Sequence, residues 1–224
     1  MQSRIRRMRL FTVIIFWGVG LFAQKTPPFY DEVLAFKQQD SMAFPPPGQV
    51  LFIGSSSFRL WKDVQEYFPG VPVLNRAFGG SALRDVLHYQ EDIIYPYKPS
   101  RIVIYCGEND LVGENAVSVE VVLERFQTLF TTIRSRLRGI PIVYVSIKPS
   151  PGRRHLMPEF LKANVAIRNY LQKQKRAYFV DVYHPMLLPH GAPDPSIFTG
   201  DSLHMNAMGY AIWQNLMQPY VKKN

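Results

Sequence analysis

The chain has 224 residues, of which 47% are hydrophobic and 13% aromatic, and its formal net charge is +9. This length fits one domain, and the composition favours neither a disordered chain nor a coiled coil. Cys106 is the only cysteine, which excludes an intramolecular disulfide and therefore a small disulfide-stabilised scaffold. We expect Cys106 to be a small buried residue of the core.

The first 24 residues differ in composition from the rest of the chain. Four arginines within residues 4–9 precede an uncharged apolar run over residues 10–22, and Ala23 and Gln24 follow. A basic segment, an apolar segment and a small residue are typical of a secretory signal peptide. We predict that residues 1–23 are such a peptide and that the protein is exported, periplasmic or secreted. The run is shorter than the about 20 residues that span a bilayer, so an uncleaved membrane anchor is the weaker alternative.

The positive charge outside this segment is modest. Residues 25–224 carry a net charge of +5. Proteins that bind nucleic acids usually cluster Lys and Arg on one face. Here Arg134, Arg136 and Arg138 lie along one predicted helix, and Arg153 and Arg154 lie in one loop. We interpret these arginines as solvated surface and predict no nucleic-acid partner.

Apolar runs of strand length alternate with amphipathic segments along the chain. The predicted strands cover residues 50–53, 71–74, 102–105, 140–145 and 177–182, and the clearest predicted helices cover residues 29–44, 117–137, 159–174 and 206–221. This alternation predicts an α/β fold, a three-layer α/β/α sandwich around a mainly parallel five-stranded sheet. We expect residues 25–224 to form a single domain.

The first predicted strand ends at Gly54 and leads directly into Ser55, Ser56 and Ser57. Ligands meet a parallel sheet at the carboxyl ends of its strands. A serine in this turn can therefore act as a nucleophile. The same residues can instead simply form the turn and cap the helix that follows.

Two further groups follow the second and third predicted strands. Gly79 and Gly80 can present backbone N–H groups to a ligand without obstruction by side chains. Asn109, in the sequence Gly-Glu-Asn-Asp, can donate its side-chain amide to an oxyanion. Each group taken alone is equally well explained as an ordinary turn.

Asp201 and His204 lie just before the last predicted helix. At this spacing the carboxylate can hold the imidazole, which then serves as the general base that a serine nucleophile needs. Alternatively, Asp201 caps a turn and His204 lies on the surface. Asp181 and His184 have the same spacing after the fifth predicted strand, and they form a rival pair.

Together these groups follow successive strands in the order Ser, Gly, Asn, Asp-His, which resembles the four sequence blocks of the SGNH hydrolases, also called the GDSL lipase and esterase family. The resemblance spans residues 50–210. Ser55 stands where the family usually has Asp, and Ala77 stands where it often has Gly. The sequence Gly-Ser-Ser-Ser resembles the variant of this block that is found in family members similar to platelet-activating-factor acetylhydrolase.

The resemblance implies a flavodoxin-like sheet and a serine esterase mechanism. By position, Ser56 corresponds to the nucleophile, His204 to its base and Asp201 to the partner of that base. The implied oxyanion hole consists of the backbone N–H groups of Ser56 and Gly80 and the amide of Asn109. Ser55 and Ser57 remain alternative nucleophiles. We expect no cofactor and no metal, since the H-E-x-x-H pattern is missing and there is only one cysteine.

The expected substrate is a small-molecule or carbohydrate ester with a short acyl group such as acetyl. Tyr183, Phe198 and Tyr210 are either stacking faces for a sugar or core residues. A lysophospholipase-type lipid acylhydrolase is an alternative, favoured if the N-terminal segment stays in a membrane, and membrane association is expected only in that case. A non-catalytic envelope binding module or a structural envelope protein on the same fold is a further alternative.

Overall fold

The protein is described here by a computed structural model that covers residues 26–222. Its strands are β1 (Val50–Gly54), β2 (Val73–Asn75), β3 (Arg101–Tyr105), β4 (Ile142–Val145) and β5 (Ala177–Val180). All strand pairs are parallel, and the strand order is β2-β1-β3-β4-β5. This is the flavodoxin-like order, in which the direction of winding reverses between β1 and β3 and opens a crevice at their carboxyl ends. The predicted α/β sandwich is confirmed.

Within residues 26–222, seven α-helices surround the sheet. They are α1 (Tyr30–Met42), α2 (Ser56–Arg59), α3 (Val64–Tyr67), α4 (Leu83–Ile93), α5 (Val119–Arg136), α6 (Met157–Leu171) and α7 (Ala207–Val221). The first helix and the three longest ones agree with the sequence prediction to within about three residues. The helix α4 was not among the helices singled out from the sequence.

Each face of the sheet is covered by its own apolar core. Leu51 and Ile102 pack with α1, α4, α5 and α6 on one face. Phe52 and Val103 pack with α2, α3 and α7 on the other face. Because both faces are buried, the central strands are apolar at every position rather than at alternate positions.

Gly54 ends β1 at a close approach of two backbones. Its φ angle is +125°, and a Cβ atom there would lie 1.9 Å from the carbonyl oxygen of Tyr105. Only glycine fits such a conformation without strain. The N–H of Ser55 then bonds to the same carbonyl at 2.9 Å, so the chain turns sharply into α2 and carries Ser56 to the crevice.

The predicted signal peptide, residues 1–23, lies outside the described residues and stays a prediction. None of the helices between residues 26 and 222 has the length and apolarity needed to cross a bilayer. The helix α1 is tied into the fold, since Val33 is buried in the core and Asp40 pairs with the buried Arg76.

Cys106 is buried, as expected from the sequence. Burial raises the pKa of its thiol well above the usual value. A thiol in this state is a poor nucleophile, and Cys106 is a core residue.

Candidate active site

Three side chains from distant parts of the chain form one hydrogen-bonded series at the carboxyl edge of the sheet. Nε2 of His204 lies 2.9 Å from Oγ of Ser56, and Nδ1 of His204 lies 2.6 Å from Oδ2 of Asp201. A carboxylate only accepts hydrogen bonds, so Nδ1 donates to Asp201 and, in the neutral ring, Nε2 accepts from the Ser56 hydroxyl. This is the geometry that a general base needs to activate a serine.

The loop before α7 fixes the position of this pair. Oδ1 of Asp201 accepts the N–H groups of Leu203 and His204, both at 2.9 Å, and the hydroxyl of Thr199 at 2.8 Å. Burial opposes the charge of Asp201, but the hydrogen bonds from His204, Leu203 and Thr199 outweigh it and hold the pKa of this carboxyl well below its usual value. Asp201 therefore stays ionised beside His204.

The rival pair has the same local geometry but no serine. Nδ1 of His184 lies 2.7 Å from Oδ2 of Asp181, which also accepts a bond of 2.8 Å from Arg168. The His184 side chain is 58% exposed. Across residues 26–222, its ring has no hydrogen bond to a hydroxyl group. The pair lies at the end of the edge strand β5, away from Ser56.

The other two serines of the turn have different neighbours. Oγ of Ser55 accepts a bond of 2.8 Å from the side-chain amide of Asn109. Ser57 is buried, and its carbonyl oxygen accepts a bond of 2.8 Å from the Tyr210 hydroxyl. In the part of the chain that the structure describes, Ser56 is the one serine that contacts a histidine ring.

The predicted backbone donors lie beside Ser56. Within the described residues, the N–H groups of Ser56 and Gly80 have no hydrogen-bond partner. Gly80 has a φ angle of +70°, a conformation that favours glycine. The neighbouring N–H of Gly79 donates to the carboxylate of Glu32 in α1 at 3.2 Å, which anchors the loop. The loop thus leaves the Gly80 N–H available.

The Asn109 amide is held at both ends. Its Nδ2 donates to Oγ of Ser55 at 2.8 Å and to the carbonyl oxygen of Ser81 at 3.1 Å. Its Oδ1 accepts a bond of 3.0 Å from Arg153. Both amide hydrogens have partners, so Asn109 can donate to an oxyanion only by sharing or exchanging one of these bonds.

The interpretation of Arg153 as solvated surface was wrong. Its side chain is 18% exposed and pairs at 2.7 Å with Oε1 of Glu108. The other carboxylate oxygen of Glu108, Oε2, lies 3.0 Å from Nζ of the fully buried Lys148. Lys148 follows the end of β4 closely, as Asn109 follows the end of β3. A lysine so soon after a buried strand was the sequence signal that could have revealed the cluster. The site therefore contains a charged cluster that sequence reasoning missed.

These groups line a cavity of about 370 Å³. Its walls consist of the reactive groups, two leucines and three charged side chains: Glu32, Ser56, Arg59, Leu60, Gly79, Gly80, Asn109, Arg153, Leu203 and His204. Tyr183, Phe198 and Tyr210 are buried in the two cores and offer no stacking face. Within residues 26–222, no three His, Cys, Asp or Glu side chains cluster as a metal site requires.

Comparisons with known proteins identify the family of the chain. Residues 53–212 match the sequence model of the GDSL-like lipase/acylhydrolase family. No curated protein matches the chain significantly.

Solved structures share the fold at low sequence identity. A Streptococcus pneumonia protein named for platelet activating factor has a TM-score of 0.75 and 19% identity, covering 86% of this chain and 92% of that one. A GDSL-like lipase from Bacteroides thetaiotaomicron has a TM-score of 0.72 and 21% identity, covering 84% and 96%. An acetylxylan esterase from Geobacillus stearothermophilus, in a catalytic mutant, has a TM-score of 0.61 and 13% identity, covering 80% and 97%.

The family model covers well over half of the chain, and the fold is shared with esterases. The chain is therefore a member of the GDSL-like lipase/acylhydrolase family, the SGNH hydrolases, and it is a carboxylic ester hydrolase.

Proposed function

We propose that the protein is a serine esterase that hydrolyses short-chain carboxylic esters through an acyl-enzyme on Ser56. The observation that carries this proposal is the series of hydrogen bonds at 2.9 and 2.6 Å from Ser56 through His204 to Asp201. A free serine hydroxyl is too weakly acidic to ionise near neutral pH, so it needs such a base.

In the first half of the reaction, Oγ of Ser56 attacks the carbonyl carbon while Nε2 of His204 takes the hydroxyl proton. The ionised Asp201 stabilises the imidazolium that forms. The tetrahedral intermediate then collapses, the bond to the alcohol oxygen breaks, and His204 returns the proton to the departing alcohol. In the second half, a water molecule repeats these steps on the acyl-enzyme and releases the acid.

The negative charge on the carbonyl oxygen would be stabilised by the free N–H groups of Ser56 and Gly80 and by the Asn109 amide. One such donor contributes about 2.7 to 4 kcal/mol to the transition state. The N–H groups of Ser56 and Gly80 are free and fixed before the substrate binds, so little reorganisation is needed there. Asn109 must share or exchange one of its two hydrogen bonds to donate to the oxyanion.

The cavity favours a short acyl group and a polar alcohol. Leu60 and Leu203 are its aliphatic residues, while Glu32, Arg59 and Arg153 are charged. A second cavity of about 350 Å³ shares Glu32 and Arg59 with the first and gives space for the alcohol part of the ester. Its lining is mixed, with polar side chains such as Gln39 and an aromatic side chain, Phe36, of the kind that a sugar ring contacts. Together with the fold shared with an acetylxylan esterase, this lining supports an acetylated carbohydrate as the substrate.

A lipid ester is the second candidate substrate. It would be favoured by an uncleaved N-terminal segment that holds the protein at a membrane. A long acyl chain needs a continuous apolar surface, which two leucines do not provide. We also propose that residues 1–23 are a signal peptide, so that the exported protein has a mass lower by that of 23 residues.

The test is hydrolysis of p-nitrophenyl acetate, p-nitrophenyl octanoate and acetylated xylo-oligosaccharides by the purified protein. We expect the acetates to be cleaved faster than the octanoate, and we expect Ser56→Ala to abolish both turnover and labelling by a fluorophosphonate. Ser57→Ala, which changes the adjacent residue, is the matched control and keeps labelling. If the folded parent protein hydrolyses none of these esters and is not labelled by the fluorophosphonate, the result would support the binding-module alternative instead.

A further inference from the structure

A buried cluster of charges lies directly behind Asn109. Oε1 of Glu108 accepts bonds from Arg153 at 2.7 Å and from Lys148 at 3.3 Å, and Oε2 accepts a bond from Lys148 at 3.0 Å and one from the Tyr105 hydroxyl. Glu108, Lys148 and Tyr105 are all nearly inaccessible to solvent. The cluster joins the ends of β3 and β4 to the segment that carries Arg153.

Such a cluster contributes little net stability to a fold. The loss of hydration of two buried charges can exceed the attraction between them, and apolar residues of the same volume often stabilise a protein equally well. A role in placing a reactive group accounts for its presence beside the cavity. The group that it reaches is Asn109, since Nη1 of Arg153 also donates to Oδ1 of Asn109 at 3.0 Å.

The partners of the Asn109 amide permit only one orientation. A guanidinium group only donates hydrogen bonds, so the amide oxygen must face Arg153. The carbonyl oxygen of Ser81 only accepts, so the amide nitrogen must face Ser81, as it does at 3.1 Å. If the amide were turned over, its N–H groups would face the N–H groups of the guanidinium. Its oxygen would then face the carbonyl oxygen of Ser81.

We propose that Arg153 is a positioning residue for ester hydrolysis: it holds Asn109 so that the amide N–H groups, and not the amide oxygen, face Ser55 and Ser81 at the cavity that Ser56 also lines. Glu108 and Lys148 in turn hold Arg153 in place. This inference rests on the proposed role of Asn109 as an oxyanion donor. The cationic donor at Oδ1 also withdraws electrons from the amide and makes its N–H groups stronger donors, because hydrogen bonds in series polarise one another.

Arg153 also lines the cavity, so its effect through Asn109 must be separated from direct contact with the substrate. A double-mutant cycle makes this separation. It compares the purified full chain with Arg153→Met, Asn109→Ala and the variant that carries both changes. Arg153→Met leaves Glu108 paired with Lys148 and Tyr105, and circular dichroism with thermal melting verifies that each variant is folded.

The readout is kcat and KM for a fluorogenic acetate ester, which remains measurable at low turnover. We expect Asn109→Ala to lower kcat about 100- to 1,000-fold. We expect Arg153→Met to lower kcat about 10-fold with little change in KM. In the Asn109→Ala background the same change lowers kcat less than about twofold, because there is no amide left to position. Arg153→Lys, which keeps a donor and a charge, recovers part of the loss, and the exposed neighbour Arg154→Met is the matched control with unchanged kcat.

Two results would overturn the inference while leaving the proposed function intact. One is an Arg153→Met effect of the same size in both backgrounds, which means that Arg153 acts independently of Asn109. The other is a rise in KM at constant kcat, which means that Arg153 binds the substrate directly. Full activity of Asn109→Ala would instead overturn the oxyanion role itself, and the role of Arg153 with it.

Discussion

The side-chain amide of Asn109 donates a hydrogen bond of 2.8 Å to the hydroxyl of Ser55. Ser55 occupies the position at which the family usually carries Asp. The hydroxyl oxygen accepts the amide N–H as a carboxylate oxygen would, so the exchange of Asp for Ser keeps an acceptor at this position without burying another charge. The structure thus gives Ser55 a place beside the proposed nucleophile rather than that role itself.

Ser55→Ala should lower kcat by about 2- to 10-fold, since the loss of one neutral hydrogen bond corresponds to about 0.5–1.5 kcal/mol. Ser56→Ala, measured on the same ester, should remove turnover. If Ser55→Ala proves as damaging as Ser56→Ala in a folded protein, the nucleophile has been assigned to the wrong serine.

His204→Ala should lower kcat by at least about 1,000-fold, because the serine loses its base. His184→Ala is the matched control, since His184 sits three residues after an aspartate in the same hydrogen-bonded geometry. We expect its kcat to stay near that of the parent protein. A loss of kcat in His184→Ala as large as that in His204→Ala would contradict the assignment of His204 as the base of Ser56.

The contribution of Asp201 to the stability of the fold should disappear at acidic pH. The pKa of Asp201 is lower in the folded protein than its ordinary value of 3.8. Its contribution is therefore fully present above about pH 4 and is lost as the pH falls through the folded-state pKa. Thermal melting should show Asp201→Asn less stable than the parent at pH 7, with the difference shrinking toward pH 2.

Asp181→Asn is the control for this pH profile. Burial opposes the charge of Asp181, but hydrogen bonds from His184 and Arg168 outweigh it and lower the pKa of this carboxyl too. The stability difference between Asp181→Asn and the parent should therefore also shrink as the pH falls. The two variants should differ in turnover, which falls only in Asp201→Asn. A constant stability difference for Asp201→Asn from pH 7 to pH 2 would contradict the lowered pKa.

Glu108→Gln and Lys148→Met should differ in their effect on stability. Glu108→Gln leaves the fully buried Lys148 and the adjacent Arg153 without their carboxylate, and breaking a buried pair in this way costs about 3–5 kcal/mol. Lys148→Met leaves Glu108 paired with Arg153 and bonded to Tyr105, so its loss should be smaller. Urea unfolding at pH 7 measures both, and a larger loss for Lys148→Met would contradict this account of the cluster.

The fold was largely predictable because the sheet is buried on both faces, which makes its strands visible as apolar runs. The errors at strand ends have local causes. Residues 71 and 140 precede Pro72 and Pro141, which have no N–H to donate to the sheet, and β2 and β4 begin after these prolines. At the end of β5, the Asp181 carboxylate accepts the N–H groups of Tyr183 and His184 and turns the chain away from the sheet.

The site was predictable where its residues fall in short blocks with fixed spacing, as Asp201 and His204 do. Contacts between distant segments left no such pattern. Arg153 lies 44 residues from Asn109 in the sequence, and Glu32 lies 47 residues from Gly79. Neither pairing can be recognised from residue type, because an arginine in a loop and a glutamate on a helix are usually solvated.

The contact between Glu32 and Gly79 also bears on where an active fragment of this enzyme can begin. The region that matches the family starts at residue 53. A fragment cut there would keep Ser56, Asn109 and His204 but would lose the carboxylate that anchors the Gly79 N–H and pairs with Arg59 at 2.6 Å. A fragment that begins where the family match begins therefore lacks contacts that hold the active-site loop. An active fragment should include residues 26–52.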